Sequence, residues 1–212
     1  MNSDNQTSYW NRVAHSKTFT HPIDVELLKK HINPDSVIVD FGCGYGRIVK
    51  QLNEEGFTDV NGFDTSLELI NRGRNNSVAN IFHIESFRNL PIANGSVDCI
   101  LLFAVLTCIP SNNEQRNLIT YLRNLLKPGG IIYISDYYLQ QNSQEMDRYE
   151  YLNNDKENYG VFQLDEGVMF RHHTRDWIKS LFHDFRESDE KLVPVKTMNG
   201  NKAEAFQMVV MK

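Results

Sequence analysis

The chain has 212 residues and a formal net charge of −5, and 41% of its residues are hydrophobic, which suits a globular domain with a sizeable core. The acidic balance argues against a nucleic-acid partner, because phosphate binding needs a basic surface. The three cysteines are not spaced as metal ligands or redox pairs, so we expect buried reduced thiols and no metal. The polar N-terminus and the lack of a bilayer-length apolar run predict a cytoplasmic protein without a membrane partner.

Apolar runs alternate with helical patterns from residue 23 to residue 135, which is typical of a parallel sheet covered by helices. Strands are predicted at residues 37–40, 59–64, 81–84, 97–103 and 131–135. Helices are predicted around residues 23–32, 48–52, 67–74, 114–126 and 174–182, with Ser66 and Thr174 as the N-caps of the third and the last.

The remainder of the chain follows a different pattern. Residues 136–163 are polar and tyrosine-rich with no clear period, and they are too many for a simple connection, so we expect a lid insertion at about 136–171. Two extended runs, 187–195 and 203–211, flank Asn199-Gly200, a strong hairpin signal. The sequence therefore predicts one Rossmann-like α/β domain over residues 1–212, with an N-terminal cap at about 1–30. Its sheet would be mostly parallel and seven-stranded, end in an antiparallel hairpin and carry helices on both faces.

The most informative stretch is the glycine loop, residues 40–46, which reads Asp-Phe-Gly-Cys-Gly-Tyr-Gly. It lies between a predicted strand and a predicted helix. Glycines there let a ligand approach the backbone, and the helix N-terminus points its free N–H groups at that ligand. Asp64 ends the second strand, where a carboxylate can accept the hydroxyls of a ribose. These features predict a nucleoside-bearing cofactor.

A nicotinamide cofactor also fits those features, and three details favour a different one. The glycine spacing is G-x-G-x-G, whereas dinucleotide folds use G-x-G-x-x-G. Asp40 precedes the first glycine by two positions, where a negative charge suits an ammonium group and repels a pyrophosphate. The predicted C-terminal hairpin replaces the second parallel half of a dinucleotide fold.

Four segments in fixed order carry a resemblance to a known family. They are the glycine loop, Asp64, the Asn89-Leu90-Pro91 segment before Ser96-Val97-Asp98, and the run Leu125-Leu126-Lys127-Pro128-Gly129-Gly130. Together they resemble the class I S-adenosylmethionine-dependent methyltransferases that act on small molecules. The resemblance is strong over about residues 32–135 and weak elsewhere.

The resemblance implies that S-adenosylmethionine is the cofactor and S-adenosylhomocysteine its product. The residues implied at the methionine end are Asp40, Gly42, Cys43 and Gly44. Asp64 and Thr65 would hold the ribose, and Phe103 and Ala104 would face the sulfonium. The acidic residue that usually contacts the adenine amino group is replaced by Ser86. Ser86 and the backbone N–H of Phe87 would make uncharged hydrogen bonds to the adenine instead.

Methyl transfer from a sulfonium is an in-line displacement, so the enzyme mainly aligns its reactants and excludes water. A general base is needed only where the acceptor must lose a proton. His172 and His173 are the candidate bases, because histidine titrates near neutral pH. The alternative is that both brace the helix that starts at Thr174. Many relatives carry histidines after the fourth strand, where this chain has Thr107 and Cys108.

Substrate residues are expected beyond the carboxyl ends of the strands. Tyr9, Phe19 and Tyr137 are the candidates, and the alternative for the N-terminal stretch is a surface helix that packs on the domain. The tyrosines at 149, 151 and 159 indicate either an aromatic lid or a dimer contact, so the chain would be a monomer or a homodimer.

The predicted activity is methyl transfer to a nitrogen or oxygen of a small molecule. The alternatives are a non-catalytic cofactor-binding scaffold, or another transferase or a dehydrogenase that uses the same nucleoside pocket.

Overall fold

The computed structural model describes residues 3–88, 90–141, 143–151 and 159–212. The described part forms a seven-stranded sheet in the order β3-β2-β1-β4-β5-β9-β8 and a separate two-stranded sheet, β6-β7. The strands are β1 (Val37–Phe41), β2 (Asp59–Asp64), β3 (Ile81–His83), β4 (Val97–Phe103), β5 (Leu126–Tyr137), β6 (Val161–Gln163), β7 (Met169–Arg171), β8 (Arg186–Lys196) and β9 (Lys202–Met211).

The large sheet is parallel from β3 through β5, and β9 and β8 add to it antiparallel. The helices are α1 (Ser3–Val13), α2 (Val25–Lys29), α3 (Arg47–Glu54), α4 (Leu67–Asn75), α5 (Asn112–Leu125), α6 (Ser143–Tyr151) and α7 (Arg175–Leu181), with a 3-10 turn at Leu106–Cys108. The predicted fold class and its terminal hairpin are confirmed. Among the described residues, no helix combines the length and the apolarity that crossing a membrane would require.

The central strands are buried on both faces. Ile38 and Val39 of β1 belong to opposite core clusters, one packed with α2 to α4 and the other with α5 and α7. Such two-sided burial explains why these strands read as continuous apolar runs. The predicted caps are confirmed, since Ser66 accepts the Leu69 N–H at 3.2 Å and Thr174 accepts the Trp177 N–H at 3.1 Å.

The segment without a clear sequence period contains α6 and the short β6–β7 hairpin. These elements share a third core cluster with α1, whose buried members are Tyr9, Val13, Tyr149, Phe162, Val168 and Phe170. The N-terminal helix and the 136–171 segment therefore pack on each other as well as on the sheet.

Helix α1 is fastened to the start of α4. Asn11 Oδ1 accepts hydrogen bonds from Ser66 Oγ at 2.8 Å and from the Glu68 N–H at 3.2 Å. Arg72 Nη1 donates to the carbonyls of Ala14 and Lys17, both at 2.7 Å. The N-terminal segment thus packs on α4, the helix that follows β2 and lies beside the glycine loop.

Gly73 marks the closest approach between α4 and that loop. A Cβ at Gly73 would lie 2.4 Å from Ile81 Cδ1 and 2.6 Å from the Tyr45 carbonyl oxygen. Gly73→Ala should therefore lower the free energy of unfolding by about 1–3 kcal/mol, the usual range for overpacking. In an unhindered helix the same change stabilises by roughly 0.5–1 kcal/mol. Urea denaturation measures the sign, with exposed Asn75→Ala of the same helix as the control; a stabilised Gly73→Ala variant would contradict the packing described here.

Candidate cofactor and substrate site

A cavity of about 1210 Å³ lies beyond the carboxyl ends of β1, β2, β4 and β5. Ligand pockets ordinarily measure about 300–1,000 Å³, so this cavity has room for more than one small molecule. Its wall combines the glycine loop and the start of α4 with α1, the turn after β4, and the 136–171 segment. Open α/β sheets bind their ligands at this edge, where the strand order reverses between β1 and β4.

The glycine loop is shaped by its neighbours in β2 and the turn after β4. The N–H groups of Gly42 and Cys43 both donate to the Phe63 carbonyl, at 2.8 and 3.1 Å. Gly42 has a φ of +73°, and a Cβ there would lie 2.8 Å from Val105 Cγ2. Glycine is therefore required at position 42 by both conformation and space.

Asp64 ties this loop to the next helix. One carboxylate oxygen accepts the Gly44 N–H at 2.8 Å and the other accepts the Ser66 N–H at 2.7 Å. Burial raises the pKa of Asp64 above its usual value, and those two N–H bonds oppose that rise. Each oxygen keeps a second lone pair, and Asp64 lies on the cavity wall, so it can brace the loop and still accept a ligand hydroxyl.

Asp40 and Arg47 are buried polar groups with unused hydrogen-bonding capacity. Asp40 Oδ2 and Arg47 Nε have no hydrogen-bond partner within the described part of the chain. Burial raises the pKa of Asp40 to about 7, although Arg47 lowers it. Both residues line the cavity. Because buried polar groups are normally paired, their state indicates a polar ligand that offers a donor such as an ammonium to Asp40 and an acceptor such as a carboxylate to Arg47.

The other implied cofactor residues are mostly brought together. Cys43, Thr65, Ser86, Phe87 and Phe103 all line the cavity. Gly44 does not line it, because the Phe19 ring packs where a Gly44 Cβ would stand. Glu85 also lines the cavity; the sequence analysis, which assigned Ser86 and the Phe87 N–H to the adenine, did not include it. Asn89 lies outside the described residues.

The cysteines are free, as expected. Burial raises the pKa values of Cys43, Cys99 and Cys108 above the ordinary thiol value, which makes them unreactive at neutral pH. The described residues contain no group of three or more His, Cys, Asp or Glu side chains arranged to hold a metal ion.

Two of the three predicted substrate residues lie on the cavity wall. Phe19 and Tyr137 line the cavity. Tyr9 does not; it is 2% exposed and packs edge-on behind Trp10 and Phe170, with ring centroids 5.0 and 6.1 Å away. Trp10 takes the place on the wall that was expected for Tyr9. Tyr149 and Tyr159 contact each other, 6.1 Å between centroids, and the Tyr151 side chain lies outside what the structure describes.

His173 is held in a buried polar network. Trp177 Nε1 can only donate, so its 2.6 Å contact identifies the Gln115 oxygen. Gln115 Nε2 then faces the carbonyls of Leu106 and Ile109 at 3.0 and 2.6 Å and His173 Nε2 at 3.0 Å. The Tyr137 carbonyl can only accept and lies 3.2 Å from His173 Nδ1, so the ring proton lies on Nδ1. Burial lowers the pKa of His173 to about 3. Because its acceptor nitrogen is occupied and it does not line the cavity, this arrangement supports the bracing alternative for His173.

His172 lies on the cavity wall, but its hydrogen bonds also disfavour a basic role. Tyr149 Oη accepts the Gln140 N–H at 3.1 Å and lies 2.5 Å from His172 Nδ1. This contact engages one of the two ring nitrogens of His172. Burial lowers the pKa of His172 to about 3. A catalytic role for either histidine stays a prediction.

Arg47 and His21 also line the cavity and were missed by sequence reasoning. Arg47 had a detectable signal, since it directly follows the last glycine of the loop. His21 is a lone histidine before Pro22 and belongs to no motif. Arg47 donates a hydrogen bond to the His21 carbonyl, so the loop and the N-terminal segment meet at this pair.

Comparisons with known proteins agree with this geometry. A family model described as a methyltransferase domain matches residues 17–185. O-methyltransferase 3 of Dictyostelium discoideum is 29% identical over 133 residues, and the match covers 57% of this chain but only 30% of that protein.

Solved structures with the same fold include two methyltransferases. A SAM-dependent methyltransferase from Methanosarcina mazei superposes with a TM-score of 0.80 at 22% identity, covering 88% of this chain and 96% of the other. The 1,6-didemethyltoxoflavin-N1-methyltransferase of Burkholderia thailandensis, solved with 1,6-didemethyltoxoflavin and S-adenosylhomocysteine bound, gives 0.63 at 16% identity, covering 88% and 75%.

The sheet order and the glycine-loop cavity define an α/β fold built to hold a nucleoside-bearing cofactor. Because the family model spans most of the chain, the chain belongs to the methyltransferase-domain family. It is a class I member, and the cofactor of that class is S-adenosylmethionine. The resemblance and the cofactor predicted from the sequence are confirmed.

The bracing role of Asp64 can be tested without any ligand. Asp64→Ala leaves two buried N–H groups, those of Gly44 and Ser66, without their acceptor. We expect a loss of about 1–3 kcal/mol in the free energy of unfolding, the cost of one such unsatisfied group or more. Chemical denaturation measures it, with the exposed Asp35→Ala as the matched control. Equal stability of the two variants would show that Asp64 does not hold the loop.

Proposed function

We propose that this protein transfers the methyl group of S-adenosylmethionine to a nitrogen or oxygen atom of a small-molecule acceptor. The observation that carries the proposal is one cavity with two chemically different halves. One half holds the glycine loop, Asp40 and Asp64; the other is lined by aromatic side chains from α1 and the 136–171 segment. Fold alone does not supply an activity, so the proposal rests on these residues.

The cofactor half fits S-adenosylmethionine residue by residue. The unpartnered Asp40 Oδ2 suits the methionine ammonium, and the Asp64 carboxylate suits the ribose hydroxyls. Arg47 Nε, also unpartnered, suits the methionine carboxylate. Ser86 and the neighbouring Glu85 offer polar partners to the adenine amino group. When bound, this cofactor supplies a methyl group that is already activated for displacement.

The protein's own contribution is alignment and exclusion of water. Phe103 and Ala104, at the end of β4, lie on the cavity wall, and we propose that they face the reacting sulfonium. Trp10, Phe162 and Phe170 form an aromatic wall on the acceptor side. Such a wall favours a flat apolar acceptor and shields the reacting atoms from water. We therefore propose that the N-terminal cap (about 1–30) and the lid (about 136–171) form the acceptor site.

The cavity, the net charge and the cysteines also bear on the partners and the location of the protein. A cavity enclosed by cap and lid favours a small molecule over a nucleic acid, in line with the net charge of −5. Free cysteines are typical of a reducing compartment, which supports a cytoplasmic location. We propose a monomer or homodimer that acts without a membrane partner.

Cofactor binding should release protons near pH 7, because the pKa of Asp40 in the free protein is about 7 and a bound ammonium favours the ionised carboxylate. Calorimetric binding enthalpies of S-adenosylhomocysteine in phosphate and in Tris buffer at pH 7 measure the protons released. Wild-type protein should release more protons than Asp40→Asn, and the exposed Asp35→Asn should match wild type. If the binding enthalpies of Asp40→Asn and wild type differ between the two buffers by the same amount, Asp40 does not bind the ammonium group.

Binding and turnover test the activity itself. S-adenosylmethionine and S-adenosylhomocysteine should raise the melting temperature by mass action, whereas NAD should not. A panel of small phenols, enols, carboxylic acids and amines, screened for release of S-adenosylhomocysteine, should contain acceptors. A response to NAD without a response to S-adenosylmethionine would contradict the proposed function, and cofactor binding without any methyl transfer would favour the scaffold alternative.

A further inference from the structure

His21 occupies a distinctive place on the cavity wall. It lies in the segment between α1 and α2 and is 5% exposed. Its Nδ1 is 2.9 Å from Ser135 Oγ, and its ring meets Tyr137 edge-on with 4.7 Å between centroids. Its Nε2 is buried without a hydrogen-bond partner. A buried imidazole nitrogen without a partner is costly, and His21 lies on the cavity wall, where a bound ligand would supply the missing partner.

The His21 side chain contacts β5, whereas its backbone carbonyl accepts a hydrogen bond from Arg47 at the start of α3. Ser135 and Tyr137 are in β5, whereas the glycine loop and Asp64 follow β1 and β2, on the other side of β4. The ring thus stands across β4 from the ribose-binding carboxylate. Tyr137 separates it from His172, whose ring centroid lies 5.0 Å from that of Tyr137.

The ring nitrogens of the two cavity-lining histidines differ in what they offer. His172 Nδ1 lies 2.5 Å from Tyr149 Oη, whereas His21 Nε2 has no hydrogen-bond partner in the described part of the chain. Ser135 Oγ can accept as well as donate, which lets the His21 proton reside on Nδ1 and leaves a lone pair on Nε2. With its proton on Nδ1, His21 can accept a second proton at Nε2.

The surroundings keep His21 neutral. Burial, and then the Arg47 guanidinium of α3, lower the pKa of His21 to about 4. The other titratable groups packed near it are Tyr137 of β5 and His172 after β7. A neutral ring does not repel a cationic cofactor and keeps its lone pair free at physiological pH.

We propose that His21 is a catalytic residue whose Nε2 accepts the proton of a hydroxyl acceptor, so that the site methylates oxygen in weakly acidic hydroxyl compounds such as phenols and enols. This inference rests on the proposed methyl transfer and deepens it. As the new O–C bond forms, the pair of the breaking C–S bond goes to sulfur. The O–H pair stays on oxygen and the proton passes to Nε2. The products are an ether, a neutral thioether and an imidazolium, so atoms and charge balance.

A weak base is sufficient for this step with oxygen and insufficient with nitrogen. A protonated ether is a much stronger acid than an imidazolium, so even a strongly desolvated histidine takes its proton. A methylated alkylammonium is a weaker acid than any imidazolium and would keep its proton. The environment of His21 therefore matches a hydroxyl acceptor better than an amine.

The first measurement uses the wild-type protein and does not depend on turnover. Nitrogen-15 NMR of histidine-labelled protein distinguishes protonated from unprotonated ring nitrogens. We expect an unprotonated Nε2 on His21. Adding S-adenosylhomocysteine with 4-methylphenol should shift the His21 Nε2 resonance, since the phenol donates to it. A proton on His21 Nε2, or no shift with the bound phenol, would overturn the proposal.

The second measurement compares His21→Gln with His183→Gln, an exposed histidine outside the site. His21→Gln should slow methylation of 4-methylphenol by roughly 10²–10⁴-fold, the usual contribution of a general base. Affinity for S-adenosylhomocysteine should change less than about twofold. Pentafluorophenol, which is already ionised at pH 7.5, should lose far less rate, because it has no proton to give up. His183→Gln should match wild type with both acceptors.

The outcomes separate this inference from the proposed function. Equal rates for His21→Gln and wild type on 4-methylphenol, or methylation of amines but no hydroxyl compound, would reject the role of His21 and leave methyl transfer standing. Weaker cofactor affinity with an unchanged saturated rate would assign His21 to the cofactor site and also reject it. Absence of methyl transfer to every acceptor would reject both.

Discussion

The two hydrogen bonds of the Asp64 carboxylate organise the cofactor half of the site. They join the glycine loop at Gly44 to the start of α4 at Ser66, so one side chain at the end of β2 sets the relative position of two ligand-facing segments. Ser66 then caps α4 and donates to Asn11 of the N-terminal helix. The position of the N-terminal helix is therefore linked, through Ser66, to the Asp64 carboxylate that faces the cavity.

The acceptor half has a separate origin. Its walls come from elements distant in sequence, the N-terminal segment and residues 136–171, which meet above the carboxyl ends of β4 and β5. A second buried network, around Gln115 and His173, holds the turn after β4 through the carbonyls of Leu106 and Ile109. Thr107 also donates its backbone N–H to Asp136 at 3.1 Å. Buried polar groups that do not reach the cavity, such as Gln115 and Asp136, thus fix the turn after β4 that forms part of its wall.

Local rules explain which features the sequence could predict. The glycine loop, the Ser66 and Thr174 caps and the Asn199-Gly200 turn depend on neighbouring residues, and all were predictable. The start of β5 was predicted five residues late, because Lys127-Pro128-Gly129-Gly130 reads as a helix terminator although the strand already begins at Leu126. Helix α6 and the β6–β7 hairpin were missed because short aromatic-rich elements carry no period.

Long-range pairings account for the rest of the site. His21 meets Ser135 across 114 positions of sequence, and Gln115 meets His173 across 58. No spacing rule connects such pairs, so the adjacent histidines at 172 and 173 drew attention as bases whereas the isolated His21 did not. Proton locations depend on partners such as Trp177 and Tyr149, and these are visible only after folding.

The third core cluster, shared by α1, α6 and the β6–β7 hairpin, is distinct from the two clusters that flank the large sheet. A substitution at Phe162 or Phe170 therefore changes the shape presented to the acceptor without disturbing the strands that support the glycine loop. Mutation can therefore alter one compartment of this scaffold while the other keeps its form.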